Sequence, residues 1–206
     1  MHRNKGSEPA TSKESLRLSW FPRVTGTLTL RVIHVDDVEH VHRLLSSPGV
    51  YEGLLTIPQV PERAFSKHRL EAILAAMDEG RGMQLIGEEA GNVIGTIGLG
   101  INWKHRQGGL GYHVDESFRR KGHASAMMRV ILEYGFEVLG LHRIEAETWI
   151  DNEPSKRLLS RHGFSLEGIR RQAYWKAQHV LDSEMWSLLA VDPRPWDQAC
   201  KDDGAV

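Results

Sequence analysis

The stretch Gly109-Leu110-Gly111-Tyr112-His113-Val114-Asp115-Glu116-Ser117-Phe118-Arg119-Arg120-Lys121-Gly122-His123-Ala124-Ser125-Ala126 changes its period halfway along, and that change decides the fold. Leu110 to Val114 reads as a strand and Asp115-Glu116 as a short acidic turn, after which Ala126, Met127, Val130, Ile131 and Tyr134 recur at helical spacing. A helix that opens directly after a strand with Arg119-Arg120-Lys121-Gly122-His123-Ala124 gathers unpaired backbone N–H groups, the positive end of the helix dipole and cationic side chains. Such a place binds anions, and phosphate most naturally. Gly122 has no Cβ to hold a ligand off the backbone, and Ala124 keeps the next turn slim. A basic helix start with an incidental glycine is the plainer alternative. A nucleic-acid patch is a third, disfavoured because the Arg-Arg-Lys run is short and the chain nearly neutral. The turn has neither the Gly-Lys-Ser/Thr of a nucleotide P-loop nor a G-x-G-x-x-G.

Downstream, Leu141 to Ile150 reads as another strand. It is followed by Asp151-Asn152-Glu153-Pro154-Ser155-Lys156-Arg157-Leu158-Leu159-Ser160-Arg161-His162-Gly163-Phe164 and then Glu167-Gly168. The order strand, R-x-x-G-x-A, helix, strand, N-x-x-S-x-x-L-L-x-x-x-G-F, E-G resembles the GNAT superfamily of acetyl-CoA-dependent N-acetyltransferases. Within it, the chain is most similar to the RimJ/RimL branch, which acetylates ribosomal-protein amino termini. The resemblance is firm from Val93 to Val191 and weaker from Thr27 to Gly91; it rests on the combination of motifs in this order rather than on any one of them.

Working outward, the 206 residues suffice for one domain with a full core. A hydrophobic fraction of 40%, a charged fraction of 26% and a formal net charge of −1 describe an ordinary globular chain with no global attraction to nucleic acid or membrane. Cys200 is the single cysteine, which excludes an intrachain disulfide framework and a zinc ribbon. With no signal peptide and no long apolar run, the cytoplasm is the expected location. Residues 1–26 are read as a polar tail whose Leu16, Leu18, Trp20 and Phe21 dock on the body, 27–192 as the domain, and 193–206 as a C-terminal tail.

Inside the domain, Thr27 to Ile33 alternates as a strand, and Asp36 with Glu39 reads as a capping box for a helix that buries Val38, Val41, Leu44 and Leu45. Tyr51 to Val60 is apolar without a period: the edge of a core, or by the family resemblance one wall of the acceptor site. Pro61-Glu62-Arg63 starts a second helix that runs to Gly80. Met83 to Gly87 and Val93 to Gly100 read as a hairpin, with Gly95 and Gly98 marking bulging or close backbone approach. The expectation is a single α/β, GNAT-like domain with a mixed, mostly antiparallel sheet flanked by helices.

For acetyl-CoA, the resemblance implies an anion site at Arg119, Arg120, Lys121, Gly122, His123, Ala124 and Ser125, and an extended edge at Tyr112, His113 and Val114 for the amide-bearing pantetheine arm. It also implies an amide near Tyr112 that stabilises an oxyanion, and a contact from Asn152 to the arm. Asn152 is equally a helix N-cap, with Pro154 two positions on. Glu147 falls on the position of a general base in some relatives, against the alternative of a solvated strand glutamate. Many GNAT enzymes place an acidic tyrosine where this chain has Leu159, so Ser155 is the candidate acid and Tyr174 a reserve. The eleven histidines show no paired spacing, and no metal is expected. The leading expectation is acetyl transfer to a primary amine by direct attack, the acceptor being a protein amino terminus. The alternatives are a small-molecule amine, or a non-catalytic acyl-CoA-binding module. The partners expected are acetyl-CoA and that amine, in a monomer or homodimer.

Overall fold

A computed structural model of the chain describes residues 13–47, 49–54, 57–176 and 178–196. Cys200, Leu55, most of the C-terminal tail and residues 1–12 of the N-terminal tail lie outside the described residues.

Eight strands form one sheet in the order β1-β2-β3-β4-β5-β6-β8-β7. They are β1 (Arg23–Thr25), β2 (Leu28–Val32), β3 (Gly82–Glu89), β4 (Asn92–Asn102), β5 (Gln107–Val114), β6 (Arg143–Trp149), β7 (Ser165–Lys176) and β8 (His179–Leu189). Every neighbouring pair is antiparallel except β5 and β6, so the sheet is mixed and mostly antiparallel. The helices are α1 (Val38–Leu45), α2 (Val50–Gly53), α3 (Arg63–Asp78), α4 (His123–Glu133) and α5 (Glu153–Arg161). Parallel strands need a crossover, and α4 provides it between β5 and β6.

The capping box predicted at Asp36 and Glu39 lies elsewhere. His34 accepts from the Asp36 N–H, the Asp37 carboxylate accepts from the His34 N–H, and the box opens a 3₁₀ turn, Val35–Asp37, one step ahead of α1. Asp37 is also held by a bidentate pair from Arg31 at 2.7 and 2.8 Å, a partner 6 residues away that spacing alone does not suggest. The β3–β4 hairpin turns through Ala90 and Gly91, both at positive φ. Its bulge displaces Ile94, and a Cβ on Gly95 would strike the His113 carbonyl while one on Gly98 would strike that of Met83. Residues ahead of β2 also belong to the packed body: Leu16 is fully buried, Phe21 is buried, and β1 pairs with β2.

The two sides of the sheet carry different helices. A Cβ on Gly87 would touch Met127 of α4, and one on Gly135, just beyond α4, would touch Ile144 and Leu99. Following the register from those residues places Leu85, Ile97, Leu110, Tyr112, Ile144 and Ala146 on the α4 side. Helix α5 joins them there, since its Lys156 reaches Glu184 of β8. A Cβ on Gly82 would instead meet Ala76 of α3, so Ile86, Thr96, His113, Glu147 and Trp149 face the α1–α3 side. With helices on both sides, β4 is buried from Val93 to Leu99, whereas β7, at the rim, is exposed through most of its length.

Candidate active site

Strands β5 and β6 pair only from Gln107–Leu110 to Arg143–Ala146. Both continue, β5 to Val114 and β6 to Trp149, so they part and leave a wedge in the middle of the sheet. Tyr112, His113 and Val114 remain paired to β4 on one edge, through Ile97, Thr96 and Gly95. Among the described residues, their other edge has no strand partner.

The wedge opens toward the start of α4. Arg120 at φ +59 and Gly122 at φ +86 turn the chain so that Gly122 becomes an N-cap with no side chain to close the helix. Among the described residues, the N–H groups of Arg120, Lys121, Gly122, His123, Ala124 and Ser125 find no acceptor. Six unpaired donors at a helix start, with Arg120 and Lys121 exposed beside them, make a fit for a diphosphate. The side chains of the turn divide their tasks. Arg119 turns back and donates from Nε to the Val114 carbonyl at 3.0 Å. His123 is buried, its Nε2 3.3 Å from Glu89, so only its backbone faces outward. The Ser125 hydroxyl is 3.1 Å from His162 Nε2, which ties the first turn of α4 to the end of α5. A groove of about 400 Å³ borders the turn, between Lys121–His123 and the β1–β2 connection.

On the α4–α5 side of the wedge, the Tyr112 and Ser155 hydroxyls are 2.7 Å apart. Burial pushes the Tyr112 phenol up to about 12, opposed by its bond to Ser155. Ser155 is placed by Asn152, whose side chain accepts from the Ser155 N–H at 3.2 Å as the N-cap of α5. Leu159, on the next turn, is fully buried in the core and presents no hydroxyl.

On the α1–α3 side stands Glu147, its side chain 16% exposed. It accepts from Tyr174 Oη at 2.7 Å, from Arg170 at 2.7 Å and from the buried Ser183 hydroxyl. Burial and the adjacent carboxylate push the Tyr174 phenol above its ordinary range. Tyr174 packs edge-on against Trp149, and Lys176 lies over the rings of Tyr51 and Trp149 while donating to the Tyr51 and Leu54 carbonyls. Lys176 thus bridges β7 to the α2 segment, and burial lowers its ammonium from the usual lysine range.

The predicted site residues therefore fall into two groups. Glu147 and Tyr174 touch each other, and Ser155 is joined to Tyr112 on the other side of the sheet. Sequence reading did not reach Tyr112–Ser155 as a pair, 43 residues apart, nor Ser183 and Arg170 as the setting of Glu147. The only signal for the latter was the alternation of β8, which puts Ser183 opposite Trp149.

The family model described as an acetyltransferase (GNAT) domain matches residues 27–165. The chain is 34% identical over 175 residues to the uncharacterized N-acetyltransferase YoaA of Bacillus subtilis (strain 168), covering 82% of this chain and 96% of that one. It is 28% identical over 148 residues to the L-amino acid N-acetyltransferase AaaT of Escherichia coli (strain K12), covering 70% and 87%. The solved structure of RimL, a ribosomal alpha-N-protein acetyltransferase in complex with coenzyme A, has a TM-score of 0.76 at 20% identity, covering 81% of this chain and 96% of that one. At that identity the likeness is one of fold.

Proposed function

The chain belongs to the GNAT acetyltransferase family and is an acetyl-CoA-dependent N-acetyltransferase, and from that premise we propose that its acceptor is the α-amino group of a protein or peptide. The observation that carries the reading is the wedge between β5 and β6, with Glu147–Tyr174 on one side of the sheet and Tyr112–Ser155 on the other. Acetyl-CoA supplies an activated acetyl thioester. The free edge of Tyr112–Val114 suits its amide-bearing arm, and the six free N–H groups of Arg120 to Ser125 suit its diphosphate.

Only a neutral amine attacks, and an α-amine with a pKa of about 7.7–8.0 is roughly a tenth neutral at pH 7, so it asks for a modest base. Glu147 is the residue proposed to take its proton, directly or through one water, with Tyr174, Arg170 and Ser183 fixing the carboxylate. Ser155, hydrogen-bonded to Tyr112, is proposed to return a proton to the departing sulfur from the opposite side. The likeness of fold to an alpha-N-protein acetyltransferase supports the choice of acceptor.

A second reading, a free amino acid as acceptor, draws on the Lys176 bridge, which narrows the space between β7 and the α2 segment, and on the amino-acid-acetylating relative. Peptides beginning with Ser or Ala, compared with the free amino acids by release of CoA, decide between them. The proposal expects higher kcat/KM for the peptides; equal or better turnover of the free amino acid overturns it and leaves acetyl transfer standing.

A further inference from the structure

Arg69, in the middle of α3, is half-buried, and among the described residues it meets neither a carboxylate nor any other acceptor. Its counterparts are engaged: Arg31, Arg43, Arg143 and Arg170 each hold a carboxylate. A guanidinium does not shed its proton at physiological pH, so removing one from water without a partner is unfavourable. Burial accordingly lowers its pKa with nothing opposing.

The position of this charge gives it meaning. Helix α3 covers the side of the sheet that carries Thr96, His113 and Glu147. After burial, Arg69 is the largest influence holding His113 down, at about 4. The imidazole meets the Thr96 hydroxyl through Nδ1 at 3.2 Å, and its Nε2 is buried without a partner. His113 stands on the free end of β5 and Glu147 on the free end of β6, facing the same side across the wedge. Arg69 thus belongs to the helix that covers the side of the sheet on which Glu147 stands, close enough to His113 to act on it electrostatically.

We propose that Arg69 binds a carboxylate of the amine substrate. This rests on the acetyl-transfer reading and deepens it: the acceptor is an amino acid or peptide that carries a negative charge near its amine. A free α-carboxylate and an acidic side chain in the first residues of a peptide share that chemistry. Diamines and aminoglycosides lack it, and the cation repels them.

Two matched pairs separate the sources: L-alanine against L-alaninamide, and Ser-Asp-Ala-amide against Ser-Asn-Ala-amide. Each pair is assayed for kcat/KM with wild type, Arg69→Gln and Arg69→Lys, and each is titrated against the enzyme–CoA complex, so that binding is read even where turnover is absent. A charge-assisted pair is worth ~10-fold or more in affinity. We expect Arg69→Gln to remove that much of the preference for the carboxylate in one pair, mainly through KM, and Arg69→Lys to retain part of it. Loss in the alanine pair assigns the α-carboxylate, and loss in the peptide pair assigns the side chain. Wild-type enzyme indifferent to both pairs overturns the proposal. So does a variant in which both members of each pair weaken equally, or one whose CoA affinity falls. Because each comparison lies within a pair of equal length, it can fail while the preference for peptides over free amino acids holds, and the reverse.

Discussion

At Gly122 the backbone sits at φ +86 with open space where a Cβ would stand. A side chain there costs about 1–2 kcal/mol in backbone strain whatever its size, so a loss of function has to be separated from a loss of stability. Gly91 provides the control, at φ +78 and also facing open space, but in the β3–β4 turn. Gly122→Ala and Gly91→Ala should lower the melting temperature alike, and only Gly122→Ala should weaken CoA in calorimetric titration. Equal CoA affinity in the two variants would remove the phosphate role from the turn. Glu147→Gln should lower kcat/KM most near neutral pH and recover in part as rising pH deprotonates the amine in solution. A loss that is the same at every pH would assign Glu147 to holding Tyr174 and Arg170 in place. Residues tied to local geometry were legible in the sequence: Asn152 and Pro154 announce the start of α5, and Gly122 the start of α4. Arg69 was not, because one arginine in a polar helix looks like any other until its surroundings are known.

Among the elements, β5 carries the most consequential group. His113 is kept neutral, its pKa pushed from 6.5 to about 4 mainly by desolvation of its ring. Between those values the unfolded chain binds a proton that the folded one refuses, so stability falls as pH drops from about 6.5 to about 4. Above that window both states are neutral, and below it both are protonated. Some 2.5 units at 1.36 kcal/mol each puts the full effect on the order of 3 kcal/mol. Denaturant titrations should give wild type and His113→Gln a constant separation above about pH 6.5, with the wild type losing on the order of 3 kcal/mol relative to the variant as pH falls to about 4. Parallel curves would show that His113 contributes nothing to acid sensitivity. Among the long elements, α4 followed from its apolar spacing, and β3 and β4 from the hairpin signal between them. Strand β1 did not, since three residues that pair only with β2 leave no pattern to read. The capping box slipped for a related reason: a histidine and an aspartate assembled it, stabilised by an arginine from β2.

For the molecule as a whole, the segment ahead of β2 helps to hold the fold. Leu16 is fully buried, and the buried Tyr134 phenol donates to its carbonyl. Leu16→Ala should cost about 2–5 kcal/mol, or roughly 2–4 °C in Tm for each kcal/mol; a shift under one degree in calorimetry would place the segment outside the cooperative unit. Composition and the order of elements made the single mixed sheet legible, while the point at which β5 and β6 separate depends on long-range pairing that no local pattern encodes. That separation divides the sheet into a five-stranded part and a three-stranded part joined along Gln107–Leu110 and Arg143–Ala146 alone. Most proteins keep unpaired strand edges at their rim; among the described residues this one has two inside, where β5 beyond Leu110 and β6 beyond Ala146 have no strand partner on the facing edge. On the proposed binding mode, the arm of acetyl-CoA fills the place of a missing strand, so recognition and architecture share the same hydrogen bonds. Stability then becomes a property of the complex and rises with the logarithm of ligand concentration. Until the arm is laid in, the seam between the two parts of the sheet is closed along half of β5.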